Sequence, residues 1–249
     1  MEDSLKKINS MLNSTFIDST LLAVLIGVVT ALLHGNFQVS VSVLTLLSGH
    51  SLGAKKAHTR LLALNLSYIA GVVLTVTGVL LGVISLVRSI GGVTQDVWIV
   101  AIALCAAIGS ITSIAYYQGK RGTVLWLPRP IAEYLSVRAK KTRRAIEAAA
   151  LGGMTVVAEL PFTIAPLAVA GVLIADHAAT ADLVWSSLYA LVASLPLIVI
   201  TVLLGAGHAL SRIQRWREQN KIFLQYSSGI GLVVLALYVV VFHLGDRLP

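Results

Sequence analysis

The stretch Glu159-Leu160-Pro161-Phe162-Thr163-Ile164-Ala165-Pro166 lies inside an apolar run that is long enough to cross a bilayer. A charged carboxylate at membrane depth costs at least ~2.5 kcal/mol on insertion scales. Each proline removes a backbone N–H from a helix and clashes with the preceding turn. We therefore expect this helix to break at Pro161 and Pro166, and we expect Glu159 to be kept for a function.

A second interruption, His34-Gly35-Asn36-Phe37-Gln38, lies at a similar depth in the first apolar run. Gly35 favours a break, because glycine is a weak helix former. The imidazole and the two amides around it add polar groups. We expect the two interruptions to face each other inside the membrane.

The composition indicates an integral membrane protein. Hydrophobic residues make up 57% of the chain, charged residues make up 12%, and the mean hydropathy is +0.86. Soluble domains are about half apolar and a quarter charged. The excess of basic residues reflects topology, and no nucleic-acid partner is expected because the chain lacks interleaved basic and aromatic residues. The single cysteine, Cys105, excludes an internal disulfide and a Cys-rich metal site.

Six apolar segments have the length of a transmembrane helix, which needs about 20 residues. They predict an all-α integral membrane fold with six transmembrane helices, of which helices 1 and 4 are broken. The predicted spans run approximately from Thr20 to Ser48, Leu61 to Leu86, Val97 to Tyr116, Ala148 to Ala175, Leu183 to Leu204 and Leu224 to Val241.

Basic residues predict the orientation, because cytoplasmic loops are enriched in Lys and Arg. All 19 of these residues except Lys6, Lys7, Arg88 and Arg247 lie in the segments after the first, third and fifth spans. Those segments are therefore predicted to be cytoplasmic, with both termini outside. The 176–182 loop, which has two Asp and no Lys or Arg, agrees with an outside position.

The one long polar connection divides the chain into two halves of three spans each. An odd number of spans gives the halves opposite orientations, which is the inverted-repeat plan of many transporters. The predicted organisation is an extracytoplasmic tail at 1–19, a first repeat at 20–117, a basic cytoplasmic loop at 118–147 and a second repeat at 148–245. For the loop, a short helix along the lipid headgroups and a solvated linker are both open.

The second half carries a family pattern in the run that begins at Leu160 and in three later stretches. The later stretches are Ala193-Ser194-Leu195-Pro196-Leu197, Leu210-Ser211-Arg212-Ile213-Gln214-Arg215-Trp216 and Ser227-Ser228-Gly229-Ile230-Gly231-Leu232. With them, the half looks like the transmembrane domain of the CcdA/DsbD cytochrome c biogenesis family. The first half, with Leu46-Leu47-Ser48-Gly49 after its break, resembles that family and the related LysE-type exporter superfamily. The resemblance implies a multi-pass protein of a prokaryotic plasma membrane, with its site at the two breaks.

The redox cysteines of the CcdA/DsbD family are missing from this chain. In the family, a Pro-Cys pair in each broken helix carries reducing equivalents, whereas the corresponding stretches here are His34-Gly35-Asn36 and Pro161-Phe162-Thr163. Cys105 matches neither place, and thiol–disulfide exchange within one chain needs two thiols. His34-Gly35-Asn36-Phe37 is similar to the Pro-Gly-Pro-Asn run of LysE-type exporters, which favours transport.

Three roles suit Glu159: a proton carrier, a cation ligand, or a hydrogen-bond acceptor that holds the broken backbone. His34 is its natural partner, because imidazole titrates near neutral pH and binds transition metals, although a buried packing histidine is an equal alternative. His34 and Glu159 are the only metal-ligand candidates, and two groups do not form a tight cage. The predicted substrate-binding residues are His34, Gly35, Asn36, Gln38, Glu159, Pro161, Thr163 and Pro166.

The leading hypothesis is a membrane transporter that moves a small cation or a small polar solute past these residues. The chain has no nucleotide-binding glycine loop and no HExxH motif, so neither an enzyme activity nor a cofactor is expected. The alternative is a cysteine-less relative of the CcdA/DsbD electron conduit that acts in cytochrome c or envelope biogenesis through a membrane or envelope protein partner. Both hypotheses place the protein in the lipid bilayer.

Overall fold

The structure is a computed structural model and describes residues 24–35, 39–51, 57–115, 129–206 and 210–241. These residues are helical apart from short connections, and none of them forms a strand. The predicted 1–19 tail, Asn36, Gln38 and the 118–128 part of the basic loop lie outside these ranges. The helices are α1 Val24–Gly35, α2 Val39–Ser51, α3 Ala57–Ser89, α4 Gln95–Ala115, α5 Arg129–Lys141, α6 Ala145–Ala175, α7 Asp182–Ala193, α8 Leu195–Gly205 and α9 Leu210–Val239.

Several of these helices have the length and apolar character of a membrane span. α3, α4 and α6 each qualify alone, and the described residues contain up to five spans if each bent helix pair counts as one. The bent pairs are α1–α2, with an angle of 53°, and α7–α8, with an angle of 52°. The apolar part of α9, Tyr226–Val239, is shorter. The all-α prediction is confirmed, and the long apolar helices indicate a membrane protein.

The predicted break in the fourth span is wrong. α6 runs without interruption from Ala145 to Ala175, with Pro161 and Pro166 inside it. α6 is the most enclosed of the three long spans, because 56% of its most apolar window is buried, against 28% for α4. Neighbouring helices can satisfy the backbone groups that a proline leaves without a partner. Packing along α6 therefore outweighs the local cost of the two prolines.

The second break lies in the fifth predicted span. α7 ends at Ala193 and α8 begins at Leu195, with Pro196 in the first turn of α8. Proline is well tolerated there, because the first N–H groups of a helix have no helical acceptor. The two bent helix pairs thus lie in the first and the fifth predicted spans. The two predicted repeats required breaks at matching positions, in the first and the fourth spans. The observed positions do not match in this way.

Glycines bring α3 and α6 into close contact. A Cβ atom on Gly71 would collide with the backbone of Ala149, and one on Gly152 would collide with the carbonyl group of Tyr68. Small residues at such positions let membrane helices approach closely. The close approach sets Tyr68 of α3 beside Thr155 of α6, one helical turn before Glu159.

Two apolar clusters share α6. The first cluster joins α6 to α1, α2, α3, α7 and α8, while the second joins it to α1, α3, α4 and α9. Leu135 and Ala139 of α5 pack into the first cluster, so the described part of the basic loop contains a helix. α6 therefore forms the centre of the fold, and Glu159 lies midway along it.

An ion pair ties the end of α3 to the 176–182 connection. Arg88 pairs with Asp182, with Nη2 lying 2.9 Å from Oδ1, and it also donates a hydrogen bond to the carbonyl oxygen of His177 at 3.0 Å. The end of α3 and the 176–182 connection therefore lie at the same end of the bundle, as the predicted topology requires. The side of the membrane that they occupy stays a prediction.

Replacing Gly71 with Ala should force α3 away from α6 and reduce the free energy of unfolding by about 1–3 kcal/mol, the usual cost of overpacking. Gly78 on the same helix is the control, because a Cβ there meets nothing within 4 Å. Gly78→Ala should be neutral or stabilising by up to about 1 kcal/mol. Denaturant titration of both purified variants in detergent checks this, and equal effects would contradict the close helix contact.

Candidate functional site at the two helix breaks

The two helix breaks pack directly against each other. A Cβ atom on Gly35, at the end of α1, would lie 2.5 Å from the carbonyl oxygen of Ala193 and 3.2 Å from Cδ of Pro196. Real Cβ contacts do not reach the shorter distance, so this crossing of α1 with the α7–α8 break requires glycine. The first break therefore meets a second break, but the second is the one at Ala193–Leu195.

Glu159 binds the first turn of α2. The backbone N–H of Ser40 donates to Oε1 at 2.5 Å, and the Ser40 hydroxyl donates to Oε2 at 2.7 Å. The first N–H groups of a helix have no helical acceptor, and the helix dipole favours negative charge at that end. Glu159 is only 4% exposed. It therefore performs the structural role foreseen for it, as an acceptor that holds a broken helix.

Two further hydroxyl groups extend this contact to α3. The Tyr68 hydroxyl donates to the carbonyl oxygen of Ser40 at 3.0 Å and lies 2.8 Å from Oγ1 of Thr155. Tyr68 and Thr155 are fully buried. Both the N–H and the C=O of Ser40 are thus engaged by side chains of neighbouring helices, so the start of α2 is held from two sides.

His34 faces α7 from the end of α1. Its Nδ1 atom lies 3.1 Å from the Tyr189 hydroxyl, and the ring centroids are 5.7 Å apart at a tilt of 54°. Both side chains are buried. The contact gives His34 a packing role between the two bent pairs, and it leaves His34 on the wall of a small cavity.

The cavity between the breaks has a volume of about 20 Å³ and is called the break cavity below. One water-sized group needs roughly 10–15 Å³, so the break cavity holds one small species. Apolar side chains of α2, α3, α6 and α8 complete its wall. The polar and break residues that line it are His34, Gly35, Ser40, Glu159, Ala193 and Ser194.

Ser194 is the polar group of this wall that stands out. The residue joins α7 to α8, is 1% exposed, and does not cap α8 with its side chain. Within the described ranges, its Oγ has no hydrogen-bond partner. Burying such a group without a partner costs about 1–3 kcal/mol. The Ser194 hydroxyl is therefore suited to a polar ligand in the break cavity.

The predicted site residues divide into three groups. His34, Gly35 and Glu159 line the break cavity together. Thr163 is buried, but its hydroxyl donates back to the carbonyl of Glu159 at 3.2 Å inside α6. Pro161 is exposed and Pro166 is buried, and neither is among the described wall residues. The other two predicted residues, Asn36 and Gln38, lie outside the described ranges.

Ser40, Tyr68, Tyr189 and Ser194 belong to the site but were missed by sequence reasoning. Hydroxyl residues recur throughout apolar helices, so none of the four stands out from its neighbours. The one weak signal for Ser194 was Pro196, two residues later, because proline is common in the first turn of a helix. In the described ranges, no group of three or more His, Cys, Asp or Glu residues is arranged so that it could hold a metal ion. Among the described residues, no third side chain of these types joins His34 and Glu159 to complete a metal site.

Cys105 is fully buried on α4 among apolar side chains of the second cluster, and it is not among the wall residues of the break cavity. Thiol–disulfide exchange requires access of one thiolate to a second sulfur. The structure therefore gives Cys105 a packing role.

Within the described residues, the fold and the site define an all-helical protein with apolar helices of membrane length. Two bent helix pairs meet in it beside a buried carboxylate. Comparison of the chain with protein-family models, with curated proteins and with solved structures gives no match. The resemblance to the CcdA/DsbD family stays a prediction.

Replacing Tyr68 with Phe should reduce the free energy of unfolding by about 1–3 kcal/mol, because the Ser40 carbonyl and the Thr155 hydroxyl both lose the Tyr68 hydroxyl as a buried partner. Tyr134→Phe is the matched control, since Tyr134 is 52% exposed on α5. That change should stay within about 0.5 kcal/mol. Denaturant titration in detergent measures both, and an unaffected Tyr68→Phe variant would contradict the role of this contact.

Proposed function

We propose that the protein is a polytopic membrane transporter that moves a small cation or a small polar solute through the break cavity. The observation that carries the proposal is the meeting of two broken helix pairs around a buried carboxylate. Half-helix ends bring backbone carbonyl and N–H groups to the middle of a bundle, which is how many transporters build their binding sites. An ionisable residue inside apolar helices is costly and commonly serves transport.

The two bent pairs are the moving parts in this proposal. α1–α2 and α7–α8 meet at Gly35 and Ala193, where each pair changes direction by more than 50°. α3 and α6 are each one continuous helix and lie close together at Gly71 and Gly152, so they form the static part in this proposal. Hinging of one bent pair against the other would open the break cavity to one side and then to the other.

A multi-pass topology in a prokaryotic plasma membrane, with both termini outside, is part of the proposal. It is supported by the placement of charge along α6. The basic helix α5 packs near the start of α6, whereas the Arg88–Asp182 pair lies at the other end, where Arg88 also contacts the carbonyl of Ala175. The 31 residues of α6 separate these ends by roughly 45 Å at 1.5 Å per residue. This exceeds the hydrocarbon thickness of a bilayer, about 30 Å.

Replacing Glu159 with Gln should abolish transport, because the amide keeps the shape of the side chain but lacks its charge. The test measures currents on a solid-supported membrane carrying proteoliposomes, after concentration jumps of Na⁺, K⁺, Mg²⁺, protons or amino acids. The parent should respond to at least one of these solutes, and Glu159→Gln to none. Full currents from Glu159→Gln would refute the proposal.

Glu147→Gln is the matched control for this experiment. Glu147 lies on the same helix, is only partly buried, and accepts a hydrogen bond from the backbone N–H of Arg143 at 3.1 Å. Because Gln can take the place of Glu in a capping box, the substitution should preserve the start of α6. The Glu147→Gln variant should therefore transport like the parent.

Replacing Cys105 with Ala should leave transport unchanged, because Cys105 packs among apolar side chains and does not line the break cavity. The alternative, a relative of the CcdA/DsbD electron conduit that acts through a partner, would make the single thiol of Cys105 relevant and expects the opposite result. The same current measurement decides between them, with the melting temperature of the variant as the check on folding. Loss of function in a stably folded Cys105→Ala variant would favour the redox-related alternative.

A further inference from the structure

The wall of the break cavity is rich in oxygen atoms. The residues that line it include Glu159 with its carboxylate, Ser40 and Ser194 with their hydroxyls, and Ala193, whose carbonyl abuts Gly35. Hard cations prefer oxygen ligands of this kind. Gly35 and Ala193 are also the last residues of α1 and α7, and the C-terminal end of a helix carries partial negative charge.

The opposing positive ends are partly cancelled. The start of α2 is engaged by Glu159 through the N–H of Ser40. The start of α8 contains Pro196, which has no N–H to present. The local field at the cavity therefore favours a cation over an anion.

The charge of the wall selects a monovalent cation. Glu159 is the one carboxylate among the described wall residues. A single positive charge gives a neutral pair, whereas a divalent ion would leave one charge uncompensated in apolar surroundings, which is costly. The described ranges also lack the cluster of His, Cys, Asp or Glu residues that a tightly held divalent metal needs.

The size of the break cavity selects a dehydrated ion. About 20 Å³ accommodates one water-sized species and is too small for a hydrated ion or an amino acid. The protein must then replace the hydration shell with its own oxygen atoms. The buried Ser194 Oγ, which has no hydrogen-bond partner in the described part of the chain, is available as one of them.

We infer that the break cavity binds one dehydrated alkali-metal cation, with Glu159 as its counter-charge and the Ser194 hydroxyl as a ligand. Only the consequence of this inference rests on the proposed function: in a transporter, the bound cation is the transported or the coupled species. The binding itself is a property of the purified chain and can be measured without transport.

The experiment measures equilibrium binding of ²²Na⁺ and of ⁸⁶Rb⁺, as a substitute for K⁺, to the full-length protein in detergent, with choline chloride holding the ionic strength constant. The parent should bind one of the two ions saturably, and the same ion should raise its melting temperature by mass action. Ser194→Ala should weaken binding about tenfold, which corresponds to about 1.4 kcal/mol. Glu159→Gln should abolish it.

Ser186→Ala is the matched control. Ser186 lies on α7, is fully buried, and its Oγ likewise has no hydrogen-bond partner within the described residues, but it is not among the wall residues of the break cavity. Its removal should leave the affinity for the ion unchanged. Equal weakening by Ser186→Ala and Ser194→Ala would overturn the assignment of Ser194 as a ligand.

The remaining outcomes separate this inference from the proposed function. Absence of saturable binding of both ions to the parent would overturn the inference, and the break cavity would then hold water only. Currents with another solute in the same preparation would leave the transport proposal standing. Saturable binding without any current would support the cation site and contradict transport.

Discussion

The contact between Glu159 and the first turn of α2 is the interaction on which the rest of the site depends. A helix that breaks inside an apolar bundle exposes N–H groups that hydrocarbon cannot satisfy. A carboxylate in the same surroundings lacks the water that would solvate it. Ser40 and Glu159 resolve both problems at once, with two hydrogen bonds between one residue of α2 and one of α6. Removing either partner would take both of these hydrogen bonds from the other in buried surroundings.

That contact requires α6 to be a rigid support. α6 keeps its helical form through Pro161 and Pro166, and it lies close to α3 because Gly71 and Gly152 leave room for the opposite backbone. The Tyr68 hydroxyl of α3 then reaches the carbonyl of Ser40. A static pair of helices thus presents a charge and a hydroxyl to the broken pair, which is the arrangement that an alternating-access mechanism needs.

The position of the second break changes how a transport cycle would work. A break in α6 would have made Glu159 part of a moving helix. With the break at Ala193–Leu195, the carboxylate lies on the continuous helix α6, while the hydroxyl of Ser194, which has no partner among the described residues, lies on a bent pair. A cation held between them would link the two parts. Movement of α7–α8 would then change the number of ligands without moving the counter-charge.

The sequence by itself determined the helical class, the approximate limits of the apolar helices, the break at Gly35 and the importance of Glu159. These follow from hydropathy, segment length and the cost of a buried charge, which are properties of single segments. Only the tertiary structure decided that Pro161 and Pro166 remain inside a continuous helix, that the second break lies at Ser194, and that Ser40 and Tyr68 join the site. Each of these depends on which neighbouring helix satisfies a backbone group, and that is settled by packing between segments distant in the chain.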